Sequence, residues 1–340
     1  MKTLRWIGTN GPAVLFFGSL LGLCFPVAAD WMHPFMGIGV WMFTFGAFAK
    51  TNFEEFRAST RHPAALGLAV VGSIILAPLI ASALSTAFGF SPELSAGLAL
   101  AAAAPPSGAA VVAMLGLDVS LAVFLMVVAV LLSPLTLPWL ASAFGVAVNV
   151  DTAALAFRIA WLTLPPAVLA FSLKRAVPSF VNRNGVAATG MASLGLLVVA
   201  MGAMKGIQSR ALAEPAQAAE YLALAFAFNL LLQGVGLAVS RLLAKLGRRD
   251  ALTMGVCYGN RNVSLASVAA SGFLATHQAS ALYMAMSFLP IFILPQLQTL
   301  WSTMAKRSRN SDNANVNWAN DLSHKNLSVA GIQAQQTGNQ

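Results

Sequence analysis

Arg261 stands near the middle of the run 251–273, which carries no other charged residue. Its neighbours are Gly259, Asn260 and Asn262, with Gly255 one turn earlier. An arginine at such a place costs about 2.5–3.5 kcal/mol on membrane-insertion scales, so the fold must give it partners. Its planar guanidinium suits bidentate recognition of a carboxylate. The alternative uses are structural, either bonding to the carbonyls of a broken helix or snorkelling to an interface. Asn260 and Asn262 offer donors and acceptors to a ligand, or equally caps for exposed helix ends. A second interruption, Ala104-Pro105-Pro106-Ser107-Gly108, falls half way along the apolar run 94–117. Consecutive prolines remove backbone donors and disfavour helix just before them. Free backbone groups inside an apolar span survive only where protein or a polar cavity satisfies them. Ser107 and Gly108 therefore join Asn260, Arg261 and Asn262 as candidate substrate contacts, with Pro105, Pro106, Gly255 and Gly259 making the breaks.

The elements that carry these residues follow from composition. Of 340 residues, 58% are hydrophobic and 9% charged, with a mean hydropathy of +0.74. So few charges cannot coat a water-soluble fold of this size. Charged residues delimit ten long apolar runs between residues 6 and 304, each long enough for a spanning helix. The expected fold is an all-α polytopic membrane protein of ten transmembrane helices. With the N-terminus cytoplasmic, inner segments hold sixteen Lys and Arg, and outer loops hold only Lys205 and Arg210. That bias places both termini in the cytoplasm. The expected divisions are a cytoplasmic N-terminus 1–10, five helices over 11–147, five over 152–304, and a disordered cytoplasmic tail 305–340. An odd number of helices per half forces the halves into opposite orientations. Each half is interrupted in its fourth span, which is the arithmetic of inverted repeats around a substrate site.

Several features carry less. The formal charge of +9 belongs to short loops between apolar runs, so nucleic acid is not a partner. Residues 1–29 imitate a signal peptide, ending Val27-Ala28-Ala29, but read as a first span that makes the count even. Cys24 and Cys257 have no paired spacing, and the four histidines sit near span ends or in the tail. These exclude a thiolate cluster and leave a membrane-embedded enzyme without its nucleophile–base pair. Neither a metal site nor a cofactor is expected. There is no glycine-rich nucleotide loop, and the Asn326-Leu327-Ser328 sequon lies on the cytoplasmic side. Pro165-Pro166 reads as a structural kink, Arg158 as snorkelling, and Cys257 as a packing residue. Asn229 and Gln233, four apart, share a face of the eighth span as polar support between helices.

The order of short motifs resembles the bile acid:sodium symporter family. Phe43-Thr44-Phe45, Asn52-Phe53-Glu54-Glu55-Phe56-Arg57, His62-Pro63 and Ala77-Pro78-Leu79 resemble its second and third spans. Pro105-Pro106-Ser107-Gly108, Gly116-Leu117-Asp118 and Leu132-Ser133-Pro134-Leu135-Thr136-Leu137-Pro138 resemble the fourth and fifth, and Asn262-Val263-Ser264-Leu265-Ala266 the ninth. The resemblance covers residues 11–304 and implies two inverted five-helix repeats. It also implies that broken helices four and nine cross, beside a panel of helices one, two, six and seven. Sodium-coupled members carry Glu-x-x-x-Gln-Asn in the ninth span, where this chain has Cys257, Arg261 and Asn262. A third-span Gln five residues before the proline corresponds to Ser73. The resemblance thus implies a carrier without carrying sodium coupling, since sodium wants oxygen ligands and a nearby carboxylate.

The resulting expectation is a secondary transporter of small organic anions, working by alternating access around the crossed helices. It would be a multi-pass protein of the plasma membrane, the inner membrane in a bacterium, with lipid and an organic anion as partners. The alternatives are a sodium-coupled symporter with displaced ion sites and a non-transporting membrane sensor.

Overall fold

The computed structural model describes residues 2–51, 63–143 and 151–298. The chain forms two units, Met1–Leu294 and Pro295–Gln340. Of the second unit, residues 295–298 are described and helical. The segment 52–62 with its Asn52–Arg57 and His62 motifs, the link 144–150 and the tail 305–340 lie outside the described residues.

Helix follows helix through the first unit, with no strand among the described residues. α1 (Lys2–Thr9) and α2 (Gly11–Cys24) adjoin at Asn10, and α3 (Pro26–Met32) leads through a 3-10 turn into α4 (Met36–Lys50). Then come α5 (Pro63–Phe88), α6 (Pro92–Ala103), α7 (Ala109–Met114) and α8 (Val119–Ala141). The remainder holds α9 (Thr152–Ala176), α10 (Pro178–Arg183), α11 (Gly185–Gly202), α12 (Ile207–Ala213) and α13 (Pro215–Ala238). It closes with α14 (Arg248–Gly259), α15 (Val263–Ala269), α16 (Ser271–Thr276) and α17 (Gln278–Met286).

Helix starts are written locally. Ser91 accepts from the Leu94 amide ahead of Pro92, and Glu93 sits in the first turn of α6. Asp118 caps α8 through the Leu121 amide, and Asp151 caps α9 through Ala153 and Ala154. Lys174 and Arg175 occupy the last turn of α9, where the helix dipole favours cations.

Seven stretches are continuous, long and apolar enough to cross a membrane: Pro26–Ala49, Val70–Phe88, Val119–Leu140, Thr152–Ala176, Gly185–Gly202, Pro215–Leu243 and Gln278–Gln298. The other three stretches that the sequence marks as spans are each divided. The first is interrupted at Phe25 between α2 and α3, the fourth divides into α6 and α7, and the ninth into α14 and α15. No fragment of these three reaches the length of a crossing helix, because the backbone leaves helical geometry inside the apolar run. Residues 2–9, expected as a short terminal segment, form α1 and pack against α11.

Two of the prolines inside the long helices have the carbonyl they free satisfied by a side chain. Pro165 frees the carbonyl of Trp161, which accepts from the Trp41 indole at 3.0 Å. Pro134 frees that of Val130, which accepts from the Ser133 hydroxyl at 2.7 Å. Pro165-Pro166 therefore sits in an unbroken α9, as a structural pair should. Arg158 is exposed in the second turn of the same helix.

The divided helices form the centre. Leu94 and every residue from Ala96 to Ala103 are buried, so α6 is enclosed on all sides. Residues Thr253–Gly259 of α14 are buried as well, as is α15 apart from Val268. Large apolar side chains such as Leu135, Trp139, Phe157 and Trp161 face outward instead. Buried small-residue helices inside and exposed large apolar residues outside suit a protein whose solvent is lipid.

Candidate functional site

The two breaks meet. Pro106 and Arg261 form an isolated antiparallel bridge. The Ser107 amide donates to the Asn260 carbonyl at 2.8 Å, and the Asn262 amide donates to the Pro105 carbonyl at 2.7 Å. Each interruption thus satisfies one exposed backbone group of the other, which answers the cost of unwinding inside an apolar interior. Composition located both interruptions, the family resemblance implied that their helices cross, and the fold adds the bonds they exchange.

Side chains complete the junction. Asn262, 4% exposed, accepts from the Leu265 amide and caps α15. Asn260 donates through Nδ2 to the Val256 carbonyl at 2.8 Å, while its buried Oδ1 has no hydrogen-bond partner among the described residues. The Ser107 hydroxyl donates to the Asn260 carbonyl at 3.4 Å. Gly108 begins α7 close to α14, where a Cβ would come 3.2 Å from Cys257 Cα.

Arg261 is 4% exposed and makes no ion pair among the described residues. Nη2 donates to the Ser73 carbonyl at 2.6 Å and Nη1 to the Ala104 carbonyl at 3.3 Å. Ala104 ends α6, so the cation lies at the negative end of that helix dipole. Nε is buried and has no hydrogen-bond partner among the described residues. A guanidinium has five N–H donors and this one commits two nitrogens to carbonyls, with no carboxylate paired to it among the described residues.

The residues at this place do not fit a sodium ion. The Ser73 and Ala104 carbonyls are already engaged by a fixed cation, and the position expected to be acidic is Cys257, 1% exposed. A thiol is a poor ligand for a hard cation.

Gly255 does not interrupt α14, contrary to the reading that grouped it with the break; the helix continues to Gly259. Its function is close approach. A Cβ on Gly255 would lie 2.8 Å from the Gln233 carbonyl, and one on Gly259 2.7 Å from the Asn229 carbonyl. α13 therefore lies directly on the end of α14. There Gln233 Nε2 donates to Asn229 Oδ1 at 2.8 Å, a bond within α13 rather than the bond between helices that the sequence suggested.

Sequence reasoning placed the tenth span but assigned no site residue to it. Tyr283 and Ser287, joined by a 2.9 Å hydrogen bond from the Ser287 hydroxyl to the Tyr283 carbonyl, line a small cavity with Asn229, Phe228 and Arg261. Its volume of about 20 Å³ holds about one water. The polar pair four residues apart was the available signal.

Comparison with known proteins agrees with the motif order. The model of the sodium bile acid symporter family matches residues 36–212, just over half of the chain. A probable sodium/metabolite cotransporter of rice (Oryza sativa subsp. japonica), BASS2, chloroplastic, is 25% identical over 191 residues. That match covers 54% of this chain and 44% of the relative, so the chain matches less than half of that protein's length.

Proposed function

Because the chain belongs to the sodium bile acid symporter family, whose members are transporters and not enzymes, we propose that it is a secondary carrier of small organic anions that works without sodium. Arg261 carries the reading. Its fixed charge at the crossing supplies the countercharge that bound sodium brings in the symporters the sequence resembles. A buried cation without an ion partner is costly, and an organic carboxylate offers what the carbonyls of Ser73 and Ala104 do not. The unpartnered Nε leaves a donor for it, and Asn260, Asn262, Ser107 and Gly108 complete the substrate contacts.

The proposed architecture is ten spans in two inverted five-helix repeats, 11–147 and 152–304, with both termini cytoplasmic. The reciprocal amide–carbonyl pairs between 105–107 and 260–262 support it, because elements related by a two-fold exchange equivalent bonds. The cavity of about 20 Å³ beside Arg261 holds about one water, so a bound substrate would need this space to widen. That requirement is alternating access. The relative's name favours a second reading, a sodium-coupled symporter with displaced ion sites.

Counterflow of radiolabelled organic anions in proteoliposomes tests both, run in sodium and in potassium. Equal exchange in the two salts is expected, and sodium tightening of tenfold, about 1.4 kcal/mol, would establish the coupled reading instead. Arg261→Gln should weaken anion binding by at least about 2 kcal/mol, the lower range for truncating a buried charge partner. Arg261→Lys should restore it only in part, having the charge but not the planar fork. A monodisperse Arg261→Gln protein that exchanges anions normally would reduce this residue to a structural ligand of helix ends.

A further inference from the structure

The small cavity beside Arg261 has walls of a distinctive kind. It is enclosed by α6, α13, the break at 259–263 and the tenth span, and no residue of α5 or α7 lines it. It therefore lies apart from Ser107, Gly108 and the Ser73 position. Every lining residue except Ile291 is buried, and none is acidic. Ala225, Phe228 and Leu232 make much of the wall apolar, which strengthens any charge interaction inside it.

Two polar side chains in this wall have donors to offer. Arg261 is 4% exposed, keeps both Nη atoms on carbonyls, and has a buried Nε without a hydrogen-bond partner among the described residues. No carboxylate pairs with it among those residues. Asn229 is 6% exposed and spends its Oδ1 on Gln233 Nε2, so what remains of that amide is a donor. Size then selects the ligand. The volume of about 20 Å³ holds about one water. A water accepts from these donors but leaves the buried charge unbalanced, at a cost in a low-dielectric site. An organic carboxylate needs the space to widen. A monatomic anion is only slightly larger than a water and brings the missing charge.

We propose that this cavity binds one monatomic anion of the chloride class, held by Arg261 and Asn229. The same guanidinium cannot balance two anions at once in an apolar interior. Chloride and the organic anion therefore bind in alternation, each weakening the other. Chloride takes the cation when the organic anion leaves, and the emptied carrier never holds an uncompensated buried charge. The alternation rests on the carrier reading above, whereas the ion site rests on the cavity and its two donors.

The test follows thermal unfolding of the full-length protein in detergent by tryptophan fluorescence, in potassium gluconate or potassium chloride at equal ionic strength. Gluconate is too large for the cavity and serves as the reference anion. Chloride and bromide should raise the midpoint saturably, by at least about 3 °C over gluconate. Arg261→Gln should lose that rise, and Arg261→Lys should keep part of it. Asn229→Asp preserves the side-chain volume and the bond from Gln233 but sets a carboxylate beside Arg261. Its midpoint should no longer respond to chloride, whereas an asparagine with a merely structural role predicts an unchanged response. That variant also decides the matter should Arg261→Gln fail to fold. No saturable halide effect in the wild type, or a full effect in Asn229→Asp, would overturn the site. Counterflow in chloride and in gluconate separates this proposal from the carrier reading. Chloride should weaken binding of the organic anion at least tenfold in the wild type and leave Asn229→Asp unaffected. If no organic anion exchanges while the Arg261-dependent halide effect persists, the carrier reading falls and the ion site stands. If exchange proceeds and halide has no effect on stability or binding, the ion site falls and the carrier reading stands.

Discussion

Replacing Gly259 by alanine should destabilise the protein, whereas the same change at Gly234 should not. Both residues are helical, so the gain in helix propensity, up to about 1 kcal/mol, is common to the two variants. Their surroundings differ. A Cβ on Gly259 would stand 2.7 Å from the Asn229 carbonyl oxygen and 2.8 Å from Asn229 Oδ1. Ordinary contact begins at 3.4 Å, so α13 would have to retreat by about 0.7 Å at the point where Gln233 and Asn229 are hydrogen-bonded. Overpacking of this kind costs about 1–3 kcal/mol. A Cβ on Gly234 meets nothing within 4 Å, so that variant keeps only the gain. The separation between the two variants is therefore about 1–3 kcal/mol in favour of Gly234→Ala, whatever the exact propensity term. Thermal unfolding followed with a thiol-reactive dye suits the question, because Cys257 is 1% exposed on the same helix end and Cys24 supplies an exposed baseline. Gly259→Ala should release Cys257 at a lower temperature than wild type, and Gly234→Ala at the same or a higher one. Equal melting of the two variants would refute the close approach of α13 and α14 and, with it, the reason for glycine at the break.

Asn262→Ala removes the cap of α15 and should cost about 1 kcal/mol of stability; the dye assay would register it as earlier Cys257 labelling. Because the Asn262 amide is a backbone group, the bond to Pro105 should survive that change. Asn262→Ala should therefore weaken anion exchange far less than Arg261→Gln does, and equal losses would contradict the assignment of charge to Arg261. Reporter fusions after Arg249 and after Lys306 should both give a cytoplasmic signal, as the sixteen-to-two distribution of Lys and Arg requires; an external signal from either breaks the proposed five-plus-five topology.

Composition and local chemistry alone determined a good deal. A membrane solvent follows from 9% charged residues, because a surface without charges has no other stable medium. Pro105-Pro106 and the Gly259–Asn262 stretch announce lost helix because proline and glycine act on their own backbone, and both breaks appear where they were expected. Asn229 and Gln233 pair because a spacing of four is a local property of a helix. Gly255 was misread for the complementary reason: a glycine inside a helix either ends it or admits a neighbour, and only the position of α13 distinguishes the two. Likewise, no sequence pattern states that Arg261 reaches the carbonyls of Ser73 and Ala104, which lie 188 and 157 residues away. Those contacts join elements distant in the chain, and their energies depend on the packing of complete helices rather than on any residue's own preference. The sequence therefore decides the medium, the elements and where they break. The tertiary fold decides which groups of the two breaks bond to each other, and which carbonyls the buried Arg261 reaches.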